Sequence, residues 1–160
     1  MKRSSIEIPY KIVRKNEFSD IEKKLEDTAI SFALKAHAPY SRFKVGAAVL
    51  LDNGIIVGGS NQENAAYPSG TCAERTALFY AGAKYPDNSV EKLLIVAFSG
   101  GQRVPFISPC GSCRQVMMET ATRFHPFEVL LCGEEQAVII EDNKTLLPFG
   151  FDGSDLPDMK

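Results

Sequence analysis

Three of the chain's four cysteines fall in two short motifs, Thr71-Cys72-Ala73-Glu74-Arg75 and Pro109-Cys110-Gly111-Ser112-Cys113-Arg114, and each motif reads as the opening of a helix. No other feature constrains the fold as much. Cys110 and Cys113 stand about one helical turn apart, so both sulfurs can reach one ion, while Cys72 must come to them from a separate helix start. Two helix N-termini therefore have to meet. Unsatisfied backbone N–H groups and the positive end of the helix dipole bias cysteines there toward the thiolate that a metal needs.

Three thiolates leave a tetrahedral zinc one ligand short, and the open position separates an ion that does chemistry from one that only braces a fold. Glu74, two residues from a ligand, can reach a water at that position. The alternative is a bracing site with Cys132 or His125 as fourth ligand. Such a site has no use for a carboxylate beside three negative sulfurs, where repulsion raises its pKa. Arg75 offers the sulfurs a positive counterweight through hydrogen bonds; a plain surface arginine is the other reading. Cys132 ends the apolar run 127–132 and reads as a buried thiol at a strand end.

At 160 residues, 44% hydrophobic and 24% charged, the chain has the profile of one soluble domain able to bury its own core. Its apolar runs fall short of the roughly 20 residues that cross a bilayer, and no secretory apolar region follows Met1-Lys2-Arg3. A cytoplasmic protein with no membrane partner is expected. The net charge of -2 argues against nucleic acid, whose binding rests on neutralising phosphates, and in favour of a small substrate.

Ser19-Asp20 caps a first helix whose apolar residues recur at three- and four-residue spacing and which ends before Pro39. Residues 43–51 and 55–59 read as strands joined by Asp52-Asn53-Gly54, with Asn-Gly supplying a two-residue hairpin turn. Thr71 caps a second helix through Ala83, residues 90–98 form a buried strand, and Pro109 opens a third helix to about Thr122. Strands over 127–132 and 137–141 follow, then a polar tail over 150–158; 85–88 and 99–102 read as ordinary loops. Residues 1–16 form an extension in which Ile6, Ile8, Tyr10 and Ile12 alternate as on an edge strand, a reading that Pro9 weakens. The order of elements implies a mixed five-stranded sheet covered by helices, and a single domain over 17–160.

At the cysteine motifs the chain resembles the small, homotetrameric, zinc-dependent cytidine deaminases of the all-cysteine type. The resemblance extends to Phe43-Lys44-Val45-Gly46-Ala47-Ala48, Asn61-Gln62-Glu63-Asn64-Ala65-Ala66-Tyr67-Pro68 and Leu147-Pro148-Phe149-Gly150-Phe151. It implies a three-layer α/β/α fold, one Zn²⁺ per subunit on Cys72, Cys110 and Cys113, and Glu74 as proton shuttle. It also implies substrate contacts from Phe43, Asn61, Glu63, Tyr67 and Ala73, with Phe151 closing the pocket from a neighbouring subunit. Asn61 and Glu63 are implied to grip the ribose hydroxyls; alone they read as solvated loop residues. Phe43, Tyr67 and Phe151 alone pass as core or tail-docking aromatics, and His37 and His125 match no family role. The implied reaction is hydrolysis of cytidine and 2′-deoxycytidine to uridine and 2′-deoxyuridine with release of ammonia, in pyrimidine salvage. Three rival readings are a polynucleotide deaminase, a deaminase of a cytosine-containing antibiotic or base analogue, and a zinc-braced interaction domain.

Overall fold

The computed structural model describes residues 1–153 and 156. Helix α1 (Asp20–Leu34) opens on a capping box in which Ser19 Oγ accepts from Glu22 N–H and Glu22 Oε2 accepts from Ser19 N–H. Its buried face is Leu25, Ala29 and Ala33. Strands β2 (Phe43–Leu51) and β3 (Ile56–Ser60) follow as an antiparallel pair. The hairpin between them differs from the expected two-residue turn. Among its loop residues only Gly54 has a positive φ, 81°, and Leu51 N–H donates to Ile55 O, so the loop holds three residues. Asn53 instead spends its side chain accepting from Ile55 N–H.

Helix α2 (Ala73–Lys84), strand β4 (Val90–Ser99), helix α3 (Gly111–Arg123) and strands β6 (Glu128–Cys132) and β7 (Gln136–Ile140) occupy the expected places. The sheet has seven strands where five were expected, because two short ones join it. Strand β5 (Gln102–Arg103) folds back on β4 through Gly100 and Gly101, both at positive φ, so the expected loop over 99–102 is a tight hairpin. Strand β1 (Lys11–Arg14) pairs antiparallel with β7 as the outer edge; it starts two residues beyond Pro9, which cannot donate to a ladder. Ile6, Ile8, Tyr10 and Ile12 are exposed. The strand order is β1-β7-β6-β4-β2-β3, with β4 and β6 the parallel pair. Of the expected tail, Ser154, Asp155, Pro157 and Asp158 lie outside the described residues, and Phe151 and Leu156 are exposed.

Alternating strand residues face opposite layers. On one side α1 packs on Ala48, Leu94, Val96, Leu130 and Cys132. On the other, Ala77, Leu78, Ala81, Met117 and Ala121 of α2 and α3 pack on Ala47, Val49, Leu93, Ile95 and Val129. Two glycines set how closely the helices approach. A Cβ on Gly46 would lie 1.9 Å from the Ala29 carbonyl oxygen of α1, and one on Gly59 would lie 2.6 Å from the Ala73 carbonyl oxygen at the start of α2. Gly59 thus fixes the height of the α2 N-terminus above the sheet. Among the described residues no helix is long and apolar enough to cross a membrane.

Because the atoms facing Gly46, the Ala29 carbonyl and the Ala33 nitrogen, all belong to helix backbone, Gly46→Ala is expected to destabilise the protein by about 1–3 kcal/mol or more. Urea unfolding against wild type measures the loss.

Candidate metal centre and pocket

The residues that cap α2 and α3 are Cys72 and Cys110; the expected cap of α2, Thr71, lies one position earlier, and Pro109, expected to open α3, lies just before its cap. Both have extended N-cap dihedrals and neither sulfur caps a backbone N–H of its helix, which leaves the sulfurs free to face one another. Cys110 Sγ lies 3.8 Å from Cys72 Sγ and 3.5 Å from Cys113 Sγ, and the three sulfurs all fall within 4.8 Å of one another. Two sulfurs about 2.3 Å from a common tetrahedral zinc sit roughly 3.8 Å apart, so the cluster fits that ion. Burial grades from Cys113, enclosed, to Cys110, exposed.

The loop before α3 is pinned by Arg114, which donates to the Pro109 and Leu146 carbonyls and to Ser108 Oγ, each at 2.9 Å. Asn143 is fully buried; its amide donates to Met117 O and accepts from Phe127 N–H, tying α3 to the start of β6. Neither residue is marked by a spacing that sequence reasoning could recognise.

Among the described residues no fourth histidine, cysteine or carboxylate joins the cluster. Cys132 points into the α1 layer, on the other face of the sheet, where burial pushes its thiol up to about 12. His125 is at the surface, with Nε2 3.3 Å from Glu91 Oε1. Glu74 is 4% exposed beside the cluster, and its carboxyl is raised, chiefly by burial and then by the negative charge of Cys72. Repulsion alone was the expected cause; the first turn of α2 facing the core makes burial the larger one. Arg75 Nη2 stands 4.0 Å from Cys72 Sγ, close enough for a long sulfur hydrogen bond. Cys72 is pulled down to about 5, first by the Cys113 thiol and then by Arg75.

A cavity of about 520 Å³ opens beside Cys72 and Arg75 and is lined by Asn61, Glu63, Tyr67 and Thr71, together with Tyr40 and Ser41. Residues 61–63 are strapped on both sides by backbone. His37 N–H donates to Asn61 O and Glu63 N–H to His37 O, while Gln62 and Thr71 exchange both of their bonds at 2.9 Å. The cavity wall is therefore laced to the residue before Cys72. His37 joins this wall through its main-chain N–H and carbonyl, which residue type does not signal. Asn61 Oδ1 accepts from Val45 N–H and Nδ2 donates to Phe43 O. Phe43 is half-buried against the α2/α3 core, and Ala73 is buried. Tyr67 is exposed, its ring edge-on to Tyr40 at 5.9 Å. Of the expected substrate contacts, Phe43, Ala73 and Phe151 are not among the lining residues; the Phe151 carbonyl accepts from Gln115 Nε2 at 2.8 Å, docking the tail on α3.

Residues 19–128 match the cytidine and deoxycytidylate deaminase zinc-binding region. The chain belongs to this family. Cytidine deaminase of Halalkalibacterium halodurans is 39% identical over 77% of this chain and 88% of its own length. Probable cytidine deaminase of Dictyostelium discoideum is 38% identical over 84% and 86%. Among solved structures, cytidine deaminase from Burkholderia pseudomallei is 39% identical, with TM-score 0.69, covering 81% of this chain and 98% of that one. The family's zinc-binding region contains all three clustered cysteines, and zinc is the ion their geometry suits.

Elemental analysis of purified protein is expected to find one zinc per chain, and Cys113→Ala to hold far less. Glu74 also carries a pH signature in chelator-treated protein. A carboxyl raised on folding disfavours the native state increasingly as pH rises through its folded value. Glu74→Gln should therefore raise the melting temperature at pH 8, with the gain shrinking as pH falls to the ordinary carboxylate range.

Proposed function

We propose that this protein hydrolyses cytidine and 2′-deoxycytidine to uridine and 2′-deoxyuridine with release of ammonia, as a pyrimidine-salvage enzyme of the cytoplasm. The observation that carries this reading is one buried carboxylate, Glu74, beside a three-thiol cluster that borders a cavity bearing Asn61 and Glu63. Family membership and relatives that are cytidine deaminases support it. The catalytic unit is residues 17–160, with 1–16 an extension.

Cys72, Cys110 and Cys113 would hold the zinc, which when bound would supply an acidified water, the chemistry a neutral-pH hydrolysis needs. Glu74 accepts the released proton, its raised pKa making it a base that can also give the proton back. It passes that proton to N3 of the cytosine ring as the water's oxygen bonds C4, then takes the remaining proton from the new C4 hydroxyl and gives it to the amino group, so that the C4–N bond breaks, ammonia leaves and the C4 carbonyl of uridine forms. Arg75 offsets the thiolate that stands where related sites carry a neutral histidine. Phe43, Tyr67 and Ala73 flank the pyrimidine, and Asn61 and Glu63 bind the sugar.

The charge of the cavity favours a nucleoside over a nucleotide or a strand. Arg75, its one cationic lining residue, stands against Cys72, and Glu63 contributes a carboxylate that would face any phosphate nearby. A homotetramer completes the reading, with Phe151 of a neighbouring subunit closing the pocket. Exposed Phe79 and Tyr80 on α2, with Phe106 and Phe149, supply apolar surface for such contacts.

Loss of cytidine absorbance with stoichiometric ammonia release tests the activity, and a zinc-loaded protein inert toward cytidine and deoxycytidine would sink it. Glu74→Gln is expected to keep zinc yet lose at least about 10³ in kcat. CMP is expected to be a substrate at least about a hundredfold poorer in kcat/KM than cytidine.

A further inference from the structure

Ser41 belongs to none of the motifs, yet hydrogen bonds converge on it. Its hydroxyl donates to Glu63 Oε1 and accepts from Phe43 N–H at 3.0 Å, and its own N–H lies 3.3 Å from Glu63 Oε2. Tyr40 N–H donates to the same Oε2 at 2.9 Å. Accepting from Phe43 orients the hydroxyl, so its single proton goes to Glu63. The next residue, Arg42, sits in the left-handed region at φ 56°, where a side chain is strained, and such strain persists where the surroundings over-determine it. Residues 40–41 thus present two N–H groups and a hydroxyl to one carboxylate, as an anion-holding concavity does.

An ionised carboxylate offers about four acceptor positions. Two backbone donors occupy Oε2 and Ser41 takes one position on Oε1, which leaves one on Oε1 of a residue lining the cavity. We propose that Ser41 is a positioning residue for sugar recognition, orienting Glu63 so that this remaining acceptor meets a hydroxyl of the nucleoside's ribose. The inference rests on the nucleoside-deaminase reading above. The same bonds, Ser41's hydroxyl first, hold the Glu63 carboxyl below its usual range, so it acts only as an acceptor at neutral pH. Phe43 links the two sugar-facing side chains: its N–H serves Ser41 and its carbonyl serves Asn61. A serine two residues before the pyrimidine-flanking aromatic thereby sets the spacing between base wall and sugar grip.

Steady-state kinetics of the zinc-loaded enzyme on cytidine and on 2′,3′-dideoxycytidine, which lacks the 2′ and 3′ hydroxyls, tests this. Ser41→Ala is expected to raise KM for cytidine roughly tenfold or more while kcat stays within about threefold. KM for the dideoxynucleoside should not move, and Ser41→Thr should restore the cytidine value. On a Glu63→Ala background, which removes the acceptor, adding Ser41→Ala should cost nothing further. An equal KM rise on both substrates, a loss confined to kcat, or additive losses with Glu63→Ala would overturn the assignment. Should Ser41→Ala fail to fold, Ser41→Cys, similar in size with a weak donor, is read by the same criteria. Wild type inactive on cytidine overturns the nucleoside reading itself; wild type active with Ser41→Ala unaffected overturns only the role of Ser41.

Discussion

Two helix N-termini brought to sulfur-contact distance on one face of a sheet are the constraint on which this protein depends. Each carries unpaired N–H groups and the positive end of a dipole, so bringing the two ends together is unfavourable unless negative charge lies between them. Cys72 and Cys110 cap the two ends with sulfurs 3.8 Å apart, and Cys113 adds a third from one turn inside α3. Apolar packing of both helices on β2, β4 and β6 holds the ends in place. A zinc that draws the thiolates together completes a charge balance the fold has already prepared.

The same placement explains why Glu74 is an unusual carboxylate. Lying in the first turn of α2, it faces a core whose closeness is set by Gly59, and burial more than repulsion keeps its proton affinity high. A structural site would gain nothing from that arrangement. A proton shuttle needs it, because a group that must both take and release a proton works best with a pKa near the operating pH.

Coupling between metal and pocket runs through backbone. Thr71 pairs with Gln62 and, through the bonds of Asn61 and Glu63, with His37, so the end of α1, the exit of β3 and the start of α2 form one small ladder. The Tyr40, Ser41 and Phe43 bonds extend the ladder to the first residue of β2. Cavity wall and metal centre are therefore tied together by hydrogen bonds across four separate stretches of chain.

Spacing and residue chemistry were enough to single out the three cysteines that cluster, Glu74 near them and most of the elements, because each depends on local features: helix-opening cysteines, a cap at Ser19, periodic apolar residues. The resemblance added Asn61 and Glu63, whose own types read as solvated loop. Hidden from the sequence were β5, the three-residue hairpin, the internal braces Arg114 and Asn143, and the Ser41 cradle. Each depends on a hydrogen bond between residues whose partners lie elsewhere in the chain or on a backbone turn that residue type alone does not dictate. The chain alone determined which atoms can bind a metal and move a proton, since those are properties of side chains. Only the tertiary structure decided that Cys132 lies on the wrong face, that burial tunes Glu74, and that Ser41 holds Glu63, because which face, how deep and beside what are decided by packing.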